Sequence, residues 1–281
     1  MTYRQLARAA ADGDADVVRA LLAGGLHPDV APPGGGRKRA LHQTLTHKGP
    51  KGVGHQECVR LLAGAGADLA REGQFQVLSP LRLAAAGGHL ALIETLLDVG
   101  APVSPCDAAA IHHQGPPTGD DSEGRSPLCA LAASRLWHRD PAGAERTARQ
   151  LLAAGATVDA PLDHPRVRPL WWLVAWGRNP TLLPLLLDAG ASPLGCLADA
   201  AYMGLDGFIT TLVARGANLE ERTAAQLTPL LHALVFKRYT SVPLLLELGA
   251  DTAAETPRAL DALAVAERTK APADIIERLS R

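Results

Sequence analysis

Residues 79–101 read SPLRLAAAGGHLALIETLLDVGA. Ser79 followed by Pro80 is a helix start: the hydroxyl accepts from free backbone N–H groups, and proline in the first turn lacks only a donor that has no partner there. Gly100, behind the leucine pair, is a helix stop, because glycine enters the left-handed conformation at little cost. Between them AAAGGH, residues 84–89, interrupts the run with a turn. The stretch therefore predicts two short helices joined by a turn and followed by an extended connector.

The same pattern recurs along the chain. An apolar-x-x-L-L-x-x-G segment ends at Gly25, Gly66, Gly100, Gly155, Gly190, Gly216 and Gly249, at intervals of 41, 34, 55, 35, 26 and 33 residues. Three intervals lie within two residues of 33, and the rest are one unit lengthened or shortened. The start signal recurs as well, in Ser126-Pro127-Leu128, Arg168-Pro169-Leu170, Thr228-Pro229-Leu230 and Thr256-Pro257. A fixed period of this length is the signature of a stacked repeat architecture.

TPLLHAL, SPLRLAAAGGHLALIETLLDVGA and the recurrent LLxxGAD resemble ankyrin repeats over nearly the whole chain. The resemblance implies an all-α fold, an ankyrin-repeat solenoid of stacked helix pairs with finger-like connectors, forming a single domain over 1–281. The units run approximately 1–35, 36–76, 77–110 with a long finger at 104–125, 126–166, 167–194, 195–226 and 227–255, with a C-terminal cap at 256–281. The first unit lacks a TPLH-like start and the last lacks the Gly-Ala end, as expected of caps that exchange a buried face for a solvated one. In ankyrin-like stacks the first helices and the fingers form a concave face, and partner proteins are the usual ligands.

The bulk composition narrows the function classes. The formal net charge is −1, so no global field draws in nucleic acid or an anionic membrane. Hydrophobic residues reach 47%, yet no apolar run approaches the ~20 residues of a spanning helix. The N-terminus carries acids early and does not read as a signal peptide. Cys58, Cys106, Cys129 and Cys196 lie far apart without a CxxC, which fits buried thiols in a reducing compartment. A cytoplasmic protein is expected, and the richness in Ala, Arg, Gly and Pro suggests a bacterial source.

Deviations from the repeat point to where specificity lies. The 55-residue interval contains a connector of about double length, VSPCDAAAIHHQGPPTGDDSEGR, and a lengthened inter-helix turn. Long loops on a rigid scaffold often carry function, so His112, His113, Asp120 and Asp121 are candidate partner contacts. The 26-residue interval is the reverse: its finger has shrunk to ASPLG, leaving a notch between units five and six. Finger charge drifts from Arg37, Lys38 and Arg39 through Asp120, Asp121 and Glu123 to Glu220, Glu221, Asp251 and Glu255.

Three of four tryptophans fall within RPLWWLVAWGRNP, residues 168–180, in a chain with 4% aromatics. Alignment on the turn places Trp171 and Trp172 at packing positions and Trp176 on the groove. The equivalent positions hold Tyr202 and Met203 in unit six and Val235 and Phe236 in unit seven, against Ala11 and Asp12 or Ala86 and Gly87 earlier. Large side chains at exposed positions offer contact area at low entropic cost and dominate interface hot spots. These five residues are therefore candidates for gripping a partner; the alternative is that a curled C-terminal cap covers them.

No enzymatic constellation emerges. His42, His55 and His89 fall on structural repeat positions, and there is no GxGxxG after a strand, Walker-type loop or GxSxG. Cys106 with His112, His113, Asp120 and Asp121 matches no metal-ligand spacing, and no cofactor is implied. The expectation is a non-enzymatic protein-binding scaffold, with an inhibitor or immunity role or an adaptor role in view. The alternative is a binder of nucleic acid or another anionic ligand through Arg37, Lys38, Arg39, Lys48 and Lys51.

Overall fold

The computed structural model describes residues 3–30, 39–46, 51–70, 79–103, 126–133, 140–159 and 168–280. The long finger with Cys106, His112, His113, Asp120 and Asp121, and the basic residues Arg37, Lys38 and Lys48, lie outside the described residues. The described residues are helical, with no strand among them, and they fall into two compact blocks, Met1–Ala160 and Pro161–Arg281.

The N-terminal block holds four helix pairs: α1 (Tyr3–Asp12) with α2 (Ala15–Ala23), α3 (Ala40–Thr46) with α4 (Val53–Gly64), α5 (Pro80–Gly87) with α6 (Leu90–Asp98), and α7 (Pro127–Ala133) with α8 (Pro141–Ala153). First helices pack on first helices, α1 on α3, α3 on α5 and α5 on α7, and second helices follow as α2, α4, α6 and α8. Each pair contributes aliphatic side chains to the layer between, such as Leu92, Ile93 and Leu96 of α6, all essentially without solvent contact. A lone pair could not bury this surface; stacking does it for both neighbours.

The C-terminal block repeats the arrangement. α9 (Pro169–Trp172) runs into a π turn (Leu173–Gly177) and pairs with α10 (Leu182–Asp188). α11 (Leu197–Met203) pairs with α12 (Asp206–Ala214), α13 (Pro229–Val235) with α14 (Val242–Glu247), and α15 (Ala262–Thr269) with α16 (Ala273–Leu279). Here α13 packs between α11 and α15, and the π turn lies against α11.

The helix boundaries follow the expected chemistry. The Ser79, Ser126 and Thr228 hydroxyls accept from the backbone N–H three residues on, of Arg82, Cys129 and Leu231, at 3.4, 3.2 and 3.4 Å. At the far end Gly100 has φ +81, its N–H bonds to the Leu97 carbonyl, and the Ala101 N–H reaches back to Leu96 at 2.8 Å. Ala101 is itself buried, which explains why alanine follows the glycine: its methyl closes the helix end against the preceding turn. Gly249 repeats this with φ +90, its N–H bonding to the Leu246 carbonyl and the Ala250 N–H to the Leu245 carbonyl.

Two connectors of the C-terminal block are near copies. In both, an N–H to carbonyl bond closes the finger tip, Thr223 to Leu227 and Thr256 to Leu260, each at 2.9 Å. The left-handed residues Gln226 and Ala259 stand at equivalent places within them. Neighbouring fingers are tied together, since the Glu220 carboxylate accepts from the Asp251 N–H at 2.8 Å.

Two half-buried histidines bridge successive pairs. His55 Nδ1 accepts from the Gly52 N–H at 3.3 Å, so its Nε2 donates to the Ala11 carbonyl at 3.1 Å. His89 makes the same kind of link one pair later, to the Leu45 carbonyl, and burial holds its pKa below the ordinary value. Cys58, Cys129 and Cys196 are buried, and burial pushes the Cys58 thiol up to about 11. A thiol so raised is a packing group and not a nucleophile.

Candidate functional site

The fifth helix pair departs from the others in three linked ways. Its start residue is Arg168, whose side chain makes no cap bond, where Ser79, Ser126 and Thr228 cap their helices. From start residue to left-handed turn residue is nine positions in the third and seventh pairs, Ser79 to Gly88 and Thr228 to Lys237. It is ten in the fifth, Arg168 to Arg178. The extra residue is absorbed as the π turn, in which the Arg178 N–H bonds back to the Leu173 carbonyl. Wide turns of this kind concentrate at functional sites because they displace side chains from the regular helical track.

The alignment on Gly177 as the turn glycine is therefore corrected by one place. The left-handed residue is Arg178, with φ +53, and Trp176 sits inside the widened turn. Trp176 is 52% exposed. On the following first helices Val235 is 37% and Phe236 50% exposed, while Tyr202 and Met203 are half-buried. The C-terminal helices α15 and α16 leave these three side chains open. Of the six large apolar side chains exposed among the described residues, three are these.

Only part of the set is in mutual contact. Tyr202 meets Phe236 edge-on at 5.7 Å between ring centres, and His232 meets Phe236 at 4.6 Å and Tyr202 at 5.8 Å. The Arg238 guanidinium lies 4.5 Å over the Tyr202 ring and donates to its hydroxyl at 3.2 Å. Arg178 points Nη2 at the Met203 sulfur, 3.3 Å away. Trp176 makes no ring contact and stands beside the cluster as a separate apolar prominence. Arg178, Lys237 and Arg238 give the patch a cationic border.

Trp171 and Trp172 take other parts. Trp172 is buried and packs edge-on against Trp171 at 5.1 Å. Trp171 is half-buried, and its indole N–H donates to the Asp199 carboxylate at 2.8 Å. It lines a cavity of about 360 Å³ whose walls also include Arg168, Leu194, Asp199, Glu221 and His232. The connector reduced to ASPLG borders the cavity with Leu194 and Gly195. Sequence reasoning singled out neither Arg168 nor Asp199; the missing hydroxyl at the start of the fifth pair was the available signal.

The basic candidates fare differently. Arg39 lies half-buried just before α3. The Lys51 ammonium nitrogen is buried away from solvent, and that burial lowers its pKa.

No protein-family model matches this sequence, and no curated protein does. Among solved structures it is similar to the ankyrin repeat domain of human ASB11, with a TM-score of 0.64 and 23% identity over 88% of this chain and 98% of that one. The fold is that of an ankyrin repeat domain. Tyr202 lies on a first helix, Trp176 and Phe236 lie at the ends of first helices, and the cavity lies at their starts. No helix among the described residues is long and apolar enough to cross a membrane.

Proposed function

We propose that this chain is a non-enzymatic binding scaffold that grips another protein through the ends of its fifth, sixth and seventh first helices. The observation that carries the reading is the exposure of Trp176, Val235 and Phe236 on neighbouring repeats beside the Tyr202 ring. An apolar patch rimmed by charge is the usual composition of an interaction site, and aromatic residues carry most of the energy of such contacts. The border of Arg178, Lys237 and Arg238 suits a partner whose apolar residues are flanked by acids. The long finger at 104–125, with His112, His113, Asp120 and Asp121, is the second proposed contact, on the strength of its length and charge alone.

A stack that acts by covering a surface suits an inhibitor or immunity protein, and an adaptor is the close alternative. The test is a pull-down from the source lysate, read by mass spectrometry, with the wild-type chain against a Trp176→Ala/Phe236→Ala variant shown folded by circular dichroism. A protein held by the first and lost by the second is the expected result. Equal retention would remove the aromatic patch from the reading.

A further inference from the structure

We infer that the cavity at the start of α9, α11 and α13 is a carboxylate-binding site in which the Arg168 guanidinium is the pairing cation. Arg168 is 2% exposed, and its Nε and Nη1 are buried without a hydrogen-bond partner. A guanidinium cannot escape by losing its proton, and a buried unpaired charge is among the most expensive things a fold can hold. It is retained at a position where the third, fourth and seventh pairs place a small capping hydroxyl, and its buried N–H groups call for an acceptor.

The other charged groups around the cavity are already engaged. Asp199 takes the Trp171 indole N–H at 2.8 Å. Glu221 accepts from the Gly195 N–H with both oxygens, at 2.8 and 2.9 Å. Arg222 donates to the carbonyls of Gln226 and Glu255 at 2.8 and 2.9 Å. The two arginines and two carboxylates balance in formal charge, and Arg168 is the one of the four left with buried polar atoms that have no hydrogen-bond partner. The backbone comes close to it at Gly195, where a Cβ would stand 3.6 Å from Nη2.

The guanidinium fork and the two nearby carboxylates select the ligand class. A single planar carboxylate matches the fork with two parallel bonds and brings only one negative charge. A dianionic phosphate would bring a second negative charge against Asp199 and Glu221. The volume of about 360 Å³ lies at the lower end of small-ligand sites, room for a carboxylate and a short carbon chain. Leu194, Ala198 and Pro229 offer that chain apolar walls, and His232, with Nδ1 unpartnered, joins the cavity to the Phe236 ring. The carboxylate can come from a free organic acid or from the acidic side chain of a docked polypeptide. The site stands independently of the protein-binding reading.

The test follows thermal unfolding and titration calorimetry of the full chain with propionate, with N-acetylglutamate α-amide, and with inorganic phosphate at matched ionic strength. Saturable binding with a midpoint rise of about 5 °C at ~100-fold excess over the dissociation constant is expected for a carboxylate probe. Response to both carboxylates assigns a free acid, and response to the glutamate amide alone assigns a polypeptide side chain; either supports the site. Arg168→Thr installs the hydroxyl start of the third, fourth and seventh pairs: its ligand-free midpoint is expected above wild type, with the response abolished. Ala198→Leu, which fills the cavity while keeping the arginine, is expected to lose the response as well. No response to either carboxylate, response to phosphate alone, or an Arg168→Thr midpoint below wild type would overturn the assignment and leave Arg168 a structural group.

Discussion

The third and fifth helix pairs are built from the same plan and differ in what they give up. Residues 79–101 have a hydroxyl cap, nine positions to a left-handed glycine, and a closed Schellman end. Residues 168–191 share the closed end, with Gly190 at φ +94 bonded to Leu187 and Ala191 to Leu186. They lack the cap, insert a residue as a π turn, and put Arg178 where Gly88 stands. The fifth pair keeps the local rules at its closing end and breaks them at its start and its turn. Such breaks cluster at functional sites, because elsewhere nothing offsets their cost.

The deepest cut leaves the comparison unaffected. Ile93→Ala and its counterpart Leu183→Ala each empty a buried site, and each is expected to lower stability by about 2–5 kcal/mol in chemical denaturation. A large difference between them would show that the fifth pair is also loosely packed inside.

Next comes the helix stop. A Cβ at Gly249 meets nothing within 4 Å, so Gly249→Ala tests backbone conformation without a clash. A loss of about 1–2 kcal/mol is expected, and Gly249→Asn should recover part of it by denaturant midpoint. The reverse exchange at the turn sharpens the contrast: Arg178→Gly relieves a left-handed arginine and should gain roughly 0.5 kcal/mol, net of the extra freedom glycine has when unfolded. If Arg178 also borders the binding patch, partner affinity falls as stability rises.

The smallest expected effect is that of pH. Burial lowers the pKa of His89, so the fold favours its neutral form. Stability from this group is complete above its ordinary value of 6.5 and is lost as pH falls through that value toward the lowered folded one. The thermal midpoint should therefore drop between pH 7.5 and 5.5, and His89→Asn, the residue found at the equivalent place in the fifth pair, should flatten that slope.

The fold was legible because its signals are local and repeated: Ser79-Pro80 and Gly100 announce a helix pair without reference to anything distant. The π turn was hidden for the same reason. A single added residue is normally absorbed by a loop, so Gly177 looked like the turn glycine, and only the backbone shows that Arg178 takes the left-handed place. Arg168 read as a variant of the Thr-Pro start, since its burial depends on Trp171 and on a connector 26 residues downstream. The bond between Trp171 and Asp199, 28 residues apart, had no sequence signal at all.

Gly216 and Gly249 hold nearly the same backbone angle, φ +89 and +90, and each is followed by an alanine whose N–H closes the helix in the same way. Joining Gly216 directly to Ala250 would excise 33 residues and leave the junction geometry unaltered. Such a chain can be lengthened or shortened by recombination in whole modules without inventing a new joint, so its binding surface can change faster in extent than in architecture.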